Sequence, residues 1–560
     1  MSTFPLVLAP SSSSHLPFLF PSSQTPFDPL TMMQATEKNI TVSQTPAQDG
    51  NVSRHSPRTG NLADQQGMER MNKKQETRRD FKNVTMLAFS MILMCSWEGV
   101  LSTSAIAFSN GGRAGALYTN LAVWLGFIAV NYDYVYLLRR LGADQATRQY
   151  HWVSELAPKR WQKFLSYVVG WLGVLGWQTG IAFSGYLTGT QIQGLLVLNY
   201  PGYVFERWHG TLLIIAMLSF AVFFNTVLAH RLPLVEGLIL FIHVFGFIGI
   251  FATLLALSPK ASHQAVWNTF YDPGWNKVGL STLIGGLVAA TAPLLGADAA
   301  GKSTHKELQD AAYTLPRVMT LATFANGLMA FVMLIAICYC IGDIEAVLST
   351  PTGYPFIQIF YNTTGSLAAT NAMTAFIIIL SASSCITIMS GSSRQLFAFA
   401  RDDGLPFSKW VARVRPGLDV PVNAILVSFT FAACISLVNI GSTAAFNSIT
   451  SLGTGTLTIS YIICLSCMVW LRIAGKPLLP SRFDLGRSFG LALNITAVGF
   501  LVLVFVIAFF PPVPEPLLTV VSMNWSILIF GVVVLFSMLY YFLWGRKVYV
   551  GPVEYVRVLE

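Results

Sequence analysis

Long apolar segments recur along this chain of 560 residues, and they limit its folding more than any other feature. A helix crosses the roughly 30 Å hydrocarbon layer of a bilayer with about 20 mostly apolar residues. Lipid offers no hydrogen-bond partners to peptide groups, so spanning segments form helices or closed barrels. Because the apolar residues here are continuous and do not alternate with polar ones, we predict an all-α integral membrane protein. The twelve predicted spans lie near 82–107, 115–137, 164–188, 209–229, 233–257, 278–300, 317–342, 367–393, 420–441, 446–471, 489–510 and 522–544.

Lysine and arginine fall between these segments in an alternating pattern. Connections after even-numbered segments carry 19 of them, whereas connections after odd-numbered segments carry four. Because cytosolic loops are enriched in Lys and Arg, the pattern predicts that both termini are cytosolic. We expect a multi-pass protein of the plasma membrane, with the lipid bilayer as a partner. A nucleic-acid-binding protein would gather its basic residues on one soluble face, so no nucleic-acid partner is expected.

The ends of the chain differ from its apolar middle. Residues 1–79 are rich in Ser, Pro, Thr, Gln and Asn and lack helical periodicity, which predicts a disordered cytosolic tail. Residues 546–560 form a short cytosolic C-terminal tail. Asn362 heads an Asn-Thr-Thr sequon in the seventh connection, which the charge pattern places outside, so it is a candidate glycosylation site. The seven cysteines lie in or beside apolar segments without metal-ligand spacing, so we expect core residues and no metal or other cofactor.

Few ionisable side chains fall in the interior of the apolar segments, where each costs roughly 3 kcal/mol or more. Glu98 lies in the middle of the first segment, Asp133 late in the second and Asp298 near the end of the sixth. Glu236 opens the fifth segment, and His243 follows two helical turns later. Each is a functional candidate with a structural alternative. In the structural alternatives, Glu98 and His243 are buried core residues that contribute only to packing, Glu236 caps its helix, and Asp133 extends to the membrane interface.

The first and sixth segments also share residues that interrupt helices. Ser96 and Gly99 flank Glu98 in the first, and the sixth carries Gly285-Gly286 and then Pro293. Proline removes a helix N–H, and glycine lowers the cost of unusual backbone angles. Paired interrupted helices in corresponding positions of two halves indicate a transporter binding site. Positions one and six imply an inverted five-helix repeat. The predicted ranges are about 82–257 for repeat one, about 278–471 for repeat two, 489–544 for two extra helices and 80–545 for the whole transporter domain.

A solute bound at these interruptions would meet unwound backbone. Helix N-termini favour a carboxylate, and Glu98 would attract an ammonium group. Trp97 offers a ring face to a cation, worth about 1–2 kcal/mol when desolvated, although an ordinary core aromatic is the alternative. Thr291 lies at the second interruption, where plain helix packing is its alternative.

Several motifs resemble a known family. The segment SRQLFAFARDDGLP at 393–406 and VPVNA at 420–424 resemble the signature of the amino acid–polyamine–organocation superfamily. The remaining motifs resemble those of the fungal amino acid/choline/GABA permeases. They are QYHWV at 149–153, Ser166-Tyr167, Gly170-Trp171, Ser96-Trp97-Glu98 and the run from Gly296-Ala297-Asp298 to Leu315-Pro316-Arg317.

The resemblance spans roughly 80–545 and implies the inverted five-helix repeat with two further helices. It implies uptake of a small amine or amino acid together with a proton. Two departures are the charged run at 131–148, where the family usually has Pro-Thr-x-Gly-Gly, and Lys302, where it usually has His. The candidate substrate-binding residues are Ser96, Trp97, Glu98, Gly99, Ala289, Thr291 and Pro293.

Arg394 and Arg401 lie nearly two helical turns apart and so share a helix face. With Asp402 and Asp403 they form a candidate ion-pair gate on the cytosolic side. The alternative is a solvated loop, because exposed pairs contribute only about 0–1 kcal/mol. The gating and coupling candidates are Asp298, Arg394, Arg401, Glu236 and His243.

These features predict a secondary active transporter that moves an amino acid, GABA, choline or a related amine by alternating access. The expected coupling ion is a proton, with sodium as the alternative. An exchanger or exporter of a metabolite, or a transporter-like nutrient sensor, would have the same spans. We do not expect an enzyme, because catalytic His, Asp or Ser side chains do not converge at membrane depth.

Overall fold

The computed structural model describes residues 83–141, 149–298, 311–441, 445–475, 486–515, 517–520 and 522–552. The predicted tail over 1–79, the residues after 552 and Lys302 lie outside this part. Within it the regular structure is helical, as predicted, apart from an isolated β-bridge between Arg415 and Val420. The helices are α1 Asn83–Met94, α2 Ser96–Leu141, α3 Gln149–Leu156, α4 Gln162–Asn199, α5 Arg207–Thr226, α6 Leu232–Leu257, α7 His263–Trp267, α8 Val278–Thr291, α9 Ala311–Cys340, α10 Ile344–Leu348, α11 Pro355–Thr364, α12 Leu367–Arg401, α13 Ser408–Val411, α14 Val422–Ser436, α15 Val438–Gly441, α16 Ala445–Ile473, α17 Arg487–Ala508, α18 Ser526–Tyr540 and α19 Arg546–Val548.

Ten helical segments in the described residues are long and apolar enough to cross a membrane. The first, Val84–Leu138, has 55 residues, more than twice the length of one span. It bends at Gly112, whose φ of 68° lies in the left-handed region. A Cβ there would lie 3.0 Å from the Tyr271 backbone nitrogen, so the bend needs a glycine. The apolar helix Val278–Leu294 is shorter than these ten segments. The count of twelve spans and the five-helix repeat stay predictions.

Helix α4 lies at the centre of the bundle and packs against α12 and α16, while α8 and α9 pack along α2. Glycines permit this close approach. A Cβ on Gly176 would come within 2.6 Å of Leu457 Cγ on α16. Large apolar side chains cover the outer face of α6, where Leu238, Phe241 and Phe245 are more than 60% exposed. Such a face suits lipid, so the helix that carries Glu236 and His243 has one lipid-facing side and one buried side.

Candidate functional site

Both predicted segments are interrupted, but Gly99 and Gly285-Gly286, which were expected to interrupt them, are helical. Helix α1 ends at Met94, Cys95 adopts a φ of 45°, and α2 begins at Ser96. A left-handed non-glycine residue costs roughly 1–2 kcal/mol, so packing must hold this break in place. In the second case α8 ends at Thr291, and a 3₁₀ turn, Ala292–Leu294, follows. Leu295 is then extended, and Gly296 has a φ of 98°.

The two interruptions touch each other and border one cavity. A Cβ on Gly99 would lie only 2.9 Å from Pro293 Cγ. The cavity has a volume of about 90 Å³ and is lined by residues of α1, α2, α4, α12 and α16 and of the segment after α8. One water molecule needs roughly 10–15 Å³, so the space admits a small organic solute.

Hydroxyl, aromatic and small side chains form the cavity wall. Its described lining residues include no Asp, Glu, Lys, Arg or His. The Trp177 ring forms part of one side, and Ser384 Oγ donates to the Leu93 carbonyl oxygen at 3.1 Å. The other polar lining side chains are Cys95, Thr179, Ser184, Ser381, Thr450 and Thr454. A charged solute placed here would therefore meet backbone dipoles, hydroxyls and the indole ring.

The polar candidates of the first interruption do not line the cavity. Glu98 is fully buried, and its Oε1 lies 2.6 Å from His243 Nδ1 on α6. The Trp97 ring packs against His243 and Phe247, with centroid distances of 5.9 and 5.8 Å. The Ser96 hydroxyl donates to the Asn326 carbonyl oxygen on α9 at 2.9 Å. These three side chains thus join α2 to the neighbouring helices.

Two of the seven predicted substrate-binding residues, Gly99 and Pro293, line the cavity. The Ala289 carbonyl oxygen accepts a hydrogen bond from Thr103 Oγ1 at 3.1 Å. Thr291 is fully buried, and its hydroxyl has no hydrogen-bond partner among the described residues. A role for the seven in solute binding stays a prediction.

A column of titratable groups follows the buried side of α6. Glu236 and His243 lie seven residues apart, on one helix face. Glu236 Oε1 accepts from Thr387 Oγ1 on α12 at 2.6 Å, and His243 meets Glu98 on α2. The second oxygen of each carboxylate and His243 Nε2 are buried without a hydrogen-bond partner in the described part of the chain. Unpaired charge is expensive at this depth, so these three side chains are functional candidates.

A second polar cluster lies at the predicted cytosolic end, below the cavity. Asp298 Oδ2 accepts from Gln149 Nε2 at 2.5 Å, and its Oδ1 accepts from Tyr461 hydroxyl at 2.8 Å. On the other side of α3, Asp402 Oδ2 accepts from Tyr150 hydroxyl at 2.8 Å and lies 3.4 Å from His151 Nε2. The short helix α3 therefore holds two buried carboxylates from different parts of the chain.

Three further predicted residues remain, which are Arg394 and Arg401 on α12 and Asn362 on α11. Arg394 donates to Ser390 Oγ within α12, and the Arg401 guanidinium lies 5.6 Å from the centroid of the Phe397 ring. Their role in a gate stays a prediction. Asn362 is exposed on α11 and accepts from Gln358 Nε2 at 2.8 Å, so its glycosylation stays a prediction as well.

Asp133 does not occupy the interfacial position that its structural alternative predicted. It is 1% exposed, beside Arg472 of α16 and Asn494 of α17. The Arg472 guanidinium in turn lies 4.8 Å from the centroid of the Tyr136 ring. Asp133 is therefore enclosed by other helices and does not extend to the interface.

Most of the cavity wall was not predicted from the sequence. Trp177, Thr179, Ser381 and Thr454 lie in spans rich in glycine and small polar residues, and only that enrichment could have marked them. The same enrichment marks ordinary contacts between membrane helices, so it does not single out a binding site. The α3 residues were noted for their resemblance alone, without a role.

Comparisons with known proteins agree with this geometry. The sequence profile of the family described as "Amino acid permease" matches residues 80–535. A Macrophomina phaseolina protein named "Putative amino acid/polyamine transporter" is 33% identical over 438 residues, which make up 77% of this chain and 94% of that protein. The choline transporter of Saccharomyces cerevisiae is 28% identical over 84% of this chain and 82% of its own length. Amino-acid permease 2 of Neurospora crassa is 25% identical over 85% and 87%. The chain is therefore an integral, multi-pass membrane protein that belongs to the amino acid permease family, within the amino acid–polyamine–organocation superfamily.

Proposed function

We propose that this permease is a secondary active transporter that takes up a small nitrogenous solute by alternating access, coupled to protons. The observation that carries the proposal is the cavity between the two interrupted helices, inside a bundle of apolar helices. The related proteins are named as transporters or permeases for amino acids, polyamines or choline, so the solute is an amino acid, choline or a related amine such as GABA.

The proposed topology has twelve spans, cytosolic termini and residence in the plasma membrane. Two observations support the count. The 55-residue first segment bends at Gly112, and Val278–Leu294 is an apolar helix beyond the ten longer ones. Asn362 then lies outside the cell and carries the glycan. The alternating Lys and Arg of the connections set the orientation.

We infer that backbone and indole, rather than a carboxylate side chain, bind the solute nitrogen. The carboxyl ends of α1 and α8 lie beside the cavity, and helix C-termini carry partial negative charge. The ring face of Trp177 adds a cation–π contact. Hydroxyls such as those of Thr179 and Thr454 would accommodate a carboxylate or alcohol group of the solute.

We assign proton coupling to the Glu98–His243 pair together with Glu236. Glu98 is part of the interrupted helix, and its partner lies on α6, so protonation of the pair alters how these two helices are held together. Glu98 is adjacent to the break but is not part of the cavity wall. Its protonation therefore acts on a bound solute through helix α2, which also contributes Gly99 to the cavity. This position favours coupling over direct contact for Glu98.

Uptake by purified protein in liposomes tests the proposal. Radiolabelled choline, GABA, amino acids and polyamines are offered with an inward proton gradient, with an inward sodium gradient, or with neither. We expect one solute class to accumulate under the proton gradient and a protonophore to abolish that accumulation. Accumulation that follows sodium alone would contradict proton coupling. Absence of flux for every solute, in a protein that still binds one of them, would favour a nutrient sensor.

A further inference from the structure

A second cavity, of about 530 Å³, lies on the other side of α4 and shares no lining residue with the transport cavity. Its volume falls within the range of about 300–1,000 Å³ that is typical of small-molecule sites. The walls come from α4, from the connection after α12, and from α14 and α18. Representative lining residues are Trp171, Leu175, Leu405, Val427 and Val533.

Almost every side chain in this groove is apolar. Apart from two tryptophans, Gln178 is the polar exception among its described lining residues, and its amide nitrogen already donates to Ser428 Oγ at 3.0 Å. Val532 on the α18 wall is 57% exposed, so the groove opens on the side of the bundle that faces lipid. A hydrocarbon chain is the occupant that such a wall suits.

The mouth of the groove carries a strained, exposed aromatic residue. Phe407 has a φ of 56° and is 84% exposed, and Trp410, three residues later, is 46% exposed. A bulky residue in the left-handed region costs roughly 1–2 kcal/mol of conformational free energy. In water, the exposed Phe407 ring would bury no apolar surface that could offset this cost. Aromatic side chains are enriched at the level of lipid headgroups, where that exposure becomes favourable.

Exposed basic residues lie next to the mouth residues in sequence. Lys409 and Arg413 are exposed and flank the groove residues Trp410 and Val411 in sequence. Partial burial raises the pKa of the Asp403 carboxyl, the nearby Lys409 lowers it, and Asp402 raises it, so that the net shift of this pKa is upward. Asp402 itself is buried and bound by α3. Arg415 adds a third exposed cation and Asp419 a further carboxylate, which leaves the described rim with a cationic excess.

We propose that this groove binds one acyl chain of an anionic glycerophospholipid of the cytosolic leaflet, with the phosphate held by Lys409 and Arg413. The choice of leaflet rests on the proposed topology, whereas the groove and its charges do not depend on transport. The charged rim distinguishes this occupant from a sterol, which has no anionic headgroup. The groove also joins the back of α4, whose opposite face lines the transport cavity, to the loop that carries Asp402.

Native mass spectrometry of the detergent-purified protein tests the proposal. Dioleoyl phosphatidylserine and dioleoyl phosphatidylcholine, which share their acyl chains, are titrated separately without any transport solute. We expect preferential retention of phosphatidylserine. Retention should fall about fivefold in Val427→Trp, which fills the groove, and in the double variant Lys409→Ala/Arg413→Ala. The matched controls are Leu535→Trp, at a 68% exposed site on α18, and Arg546→Ala/Lys547→Ala, at exposed positions on α19.

Three results would overturn the proposal: equal retention of the two lipids, unchanged phosphatidylserine binding in both groove variants, or displacement of phosphatidylserine by a sterol. If Val427→Trp fails to fold, as judged by its melting temperature and gel filtration, the exposed charge variants still carry the test. Because no solute or gradient is involved, loss of the lipid site leaves the transport proposal standing, and failed transport leaves the lipid site standing.

Discussion

The hydrogen bond between Glu98 and His243 places two titratable groups in the low-dielectric interior, each with one polar atom lacking a partner in the described structure. Glu98→Gln keeps the size of the side chain but removes its titration. We expect the rate of uptake driven by a proton gradient to fall about tenfold or more. A tenfold fall corresponds to roughly 1.4 kcal/mol in the activation free energy of transport. Solute exchange between equal concentrations should persist, because exchange requires no net proton movement. Both rates are measured in the same liposomes.

The matched control for this change is Glu345→Gln, at an exposed position on α10, which should alter neither rate. Loss of exchange and of solute binding together with uptake in Glu98→Gln would mean that Glu98 contacts the solute itself.

Trp177 forms part of the cavity wall, and the proposal assigns its ring face to binding of the solute nitrogen. If its ring face binds the solute nitrogen, Trp177→Phe should weaken binding modestly, and Trp177→Ala should raise the Kd about tenfold, in line with roughly 1–2 kcal/mol for a desolvated cation–π contact. Binding is measured by scintillation proximity with radiolabelled solute. Trp161→Ala, at an exposed position before α4, provides the control. Equal affinity in the wild type and Trp177→Ala would exclude the ring from recognition.

At the scale of the helices, the approximate positions of the breaks were predictable and the directions of their side chains were not. Pro293 removes a backbone donor, so the sequence located the second interruption. The first was located only to within a few residues, because it falls at the non-glycine residue Cys95, whereas Gly99 is helical. Which way Glu98 points depends on the rotation of α2 against α6, and that rotation is set by packing between distant segments. The cavity hydroxyls were hidden for a similar reason, because Ser and Thr inside spans also serve helix contacts.

The contact between the two breaks leads to a prediction about Gly99. Gly99→Ala would place a methyl group 2.9 Å from Pro293 Cγ, so α2 and the segment after α8 must separate. Overpacking of this kind costs about 1–3 kcal/mol. We expect a lower melting temperature and severe loss of solute binding. Gly180→Ala is the matched control, because it borders the same cavity and its Cβ would meet Ile388 at an ordinary 3.7 Å. Comparable loss in both variants would show that any added methyl group blocks the cavity.

At the scale of the whole molecule, α3 links parts of the chain that the sequence keeps far apart. Its Gln149 and Tyr150 hold Asp298 and Asp402, while the Tyr150 carbonyl oxygen accepts from Ser166 Oγ. Ser166 Oγ also lies 2.8 Å from the hydroxyl of Tyr549, a fully buried residue after α19. The QYHWV motif resembled a family but gave no partner, since hydrogen bonds over such separations follow from the fold. Contacts from three distant segments therefore hold this end of the molecule together.

Tyr150→Phe tests whether these contacts keep the predicted cytosolic end closed. The variant preserves the ring contact with Phe399, at 5.3 Å between centroids, and removes a hydrogen bond to a buried carboxylate. Such a loss costs about 1–3 kcal/mol in the closed state, which would raise the population open to the cytosol about fivefold or more. The measurement is the labelling rate of a cysteine introduced at Thr454, in a background without other reactive cysteines, by an impermeant thiol reagent applied to that side. Tyr200→Phe, at an exposed position after α4, should leave the rate unchanged. A rate unaltered by Tyr150→Phe would mean that the Tyr150–Asp402 bond persists in both states and that other contacts control access to the cavity.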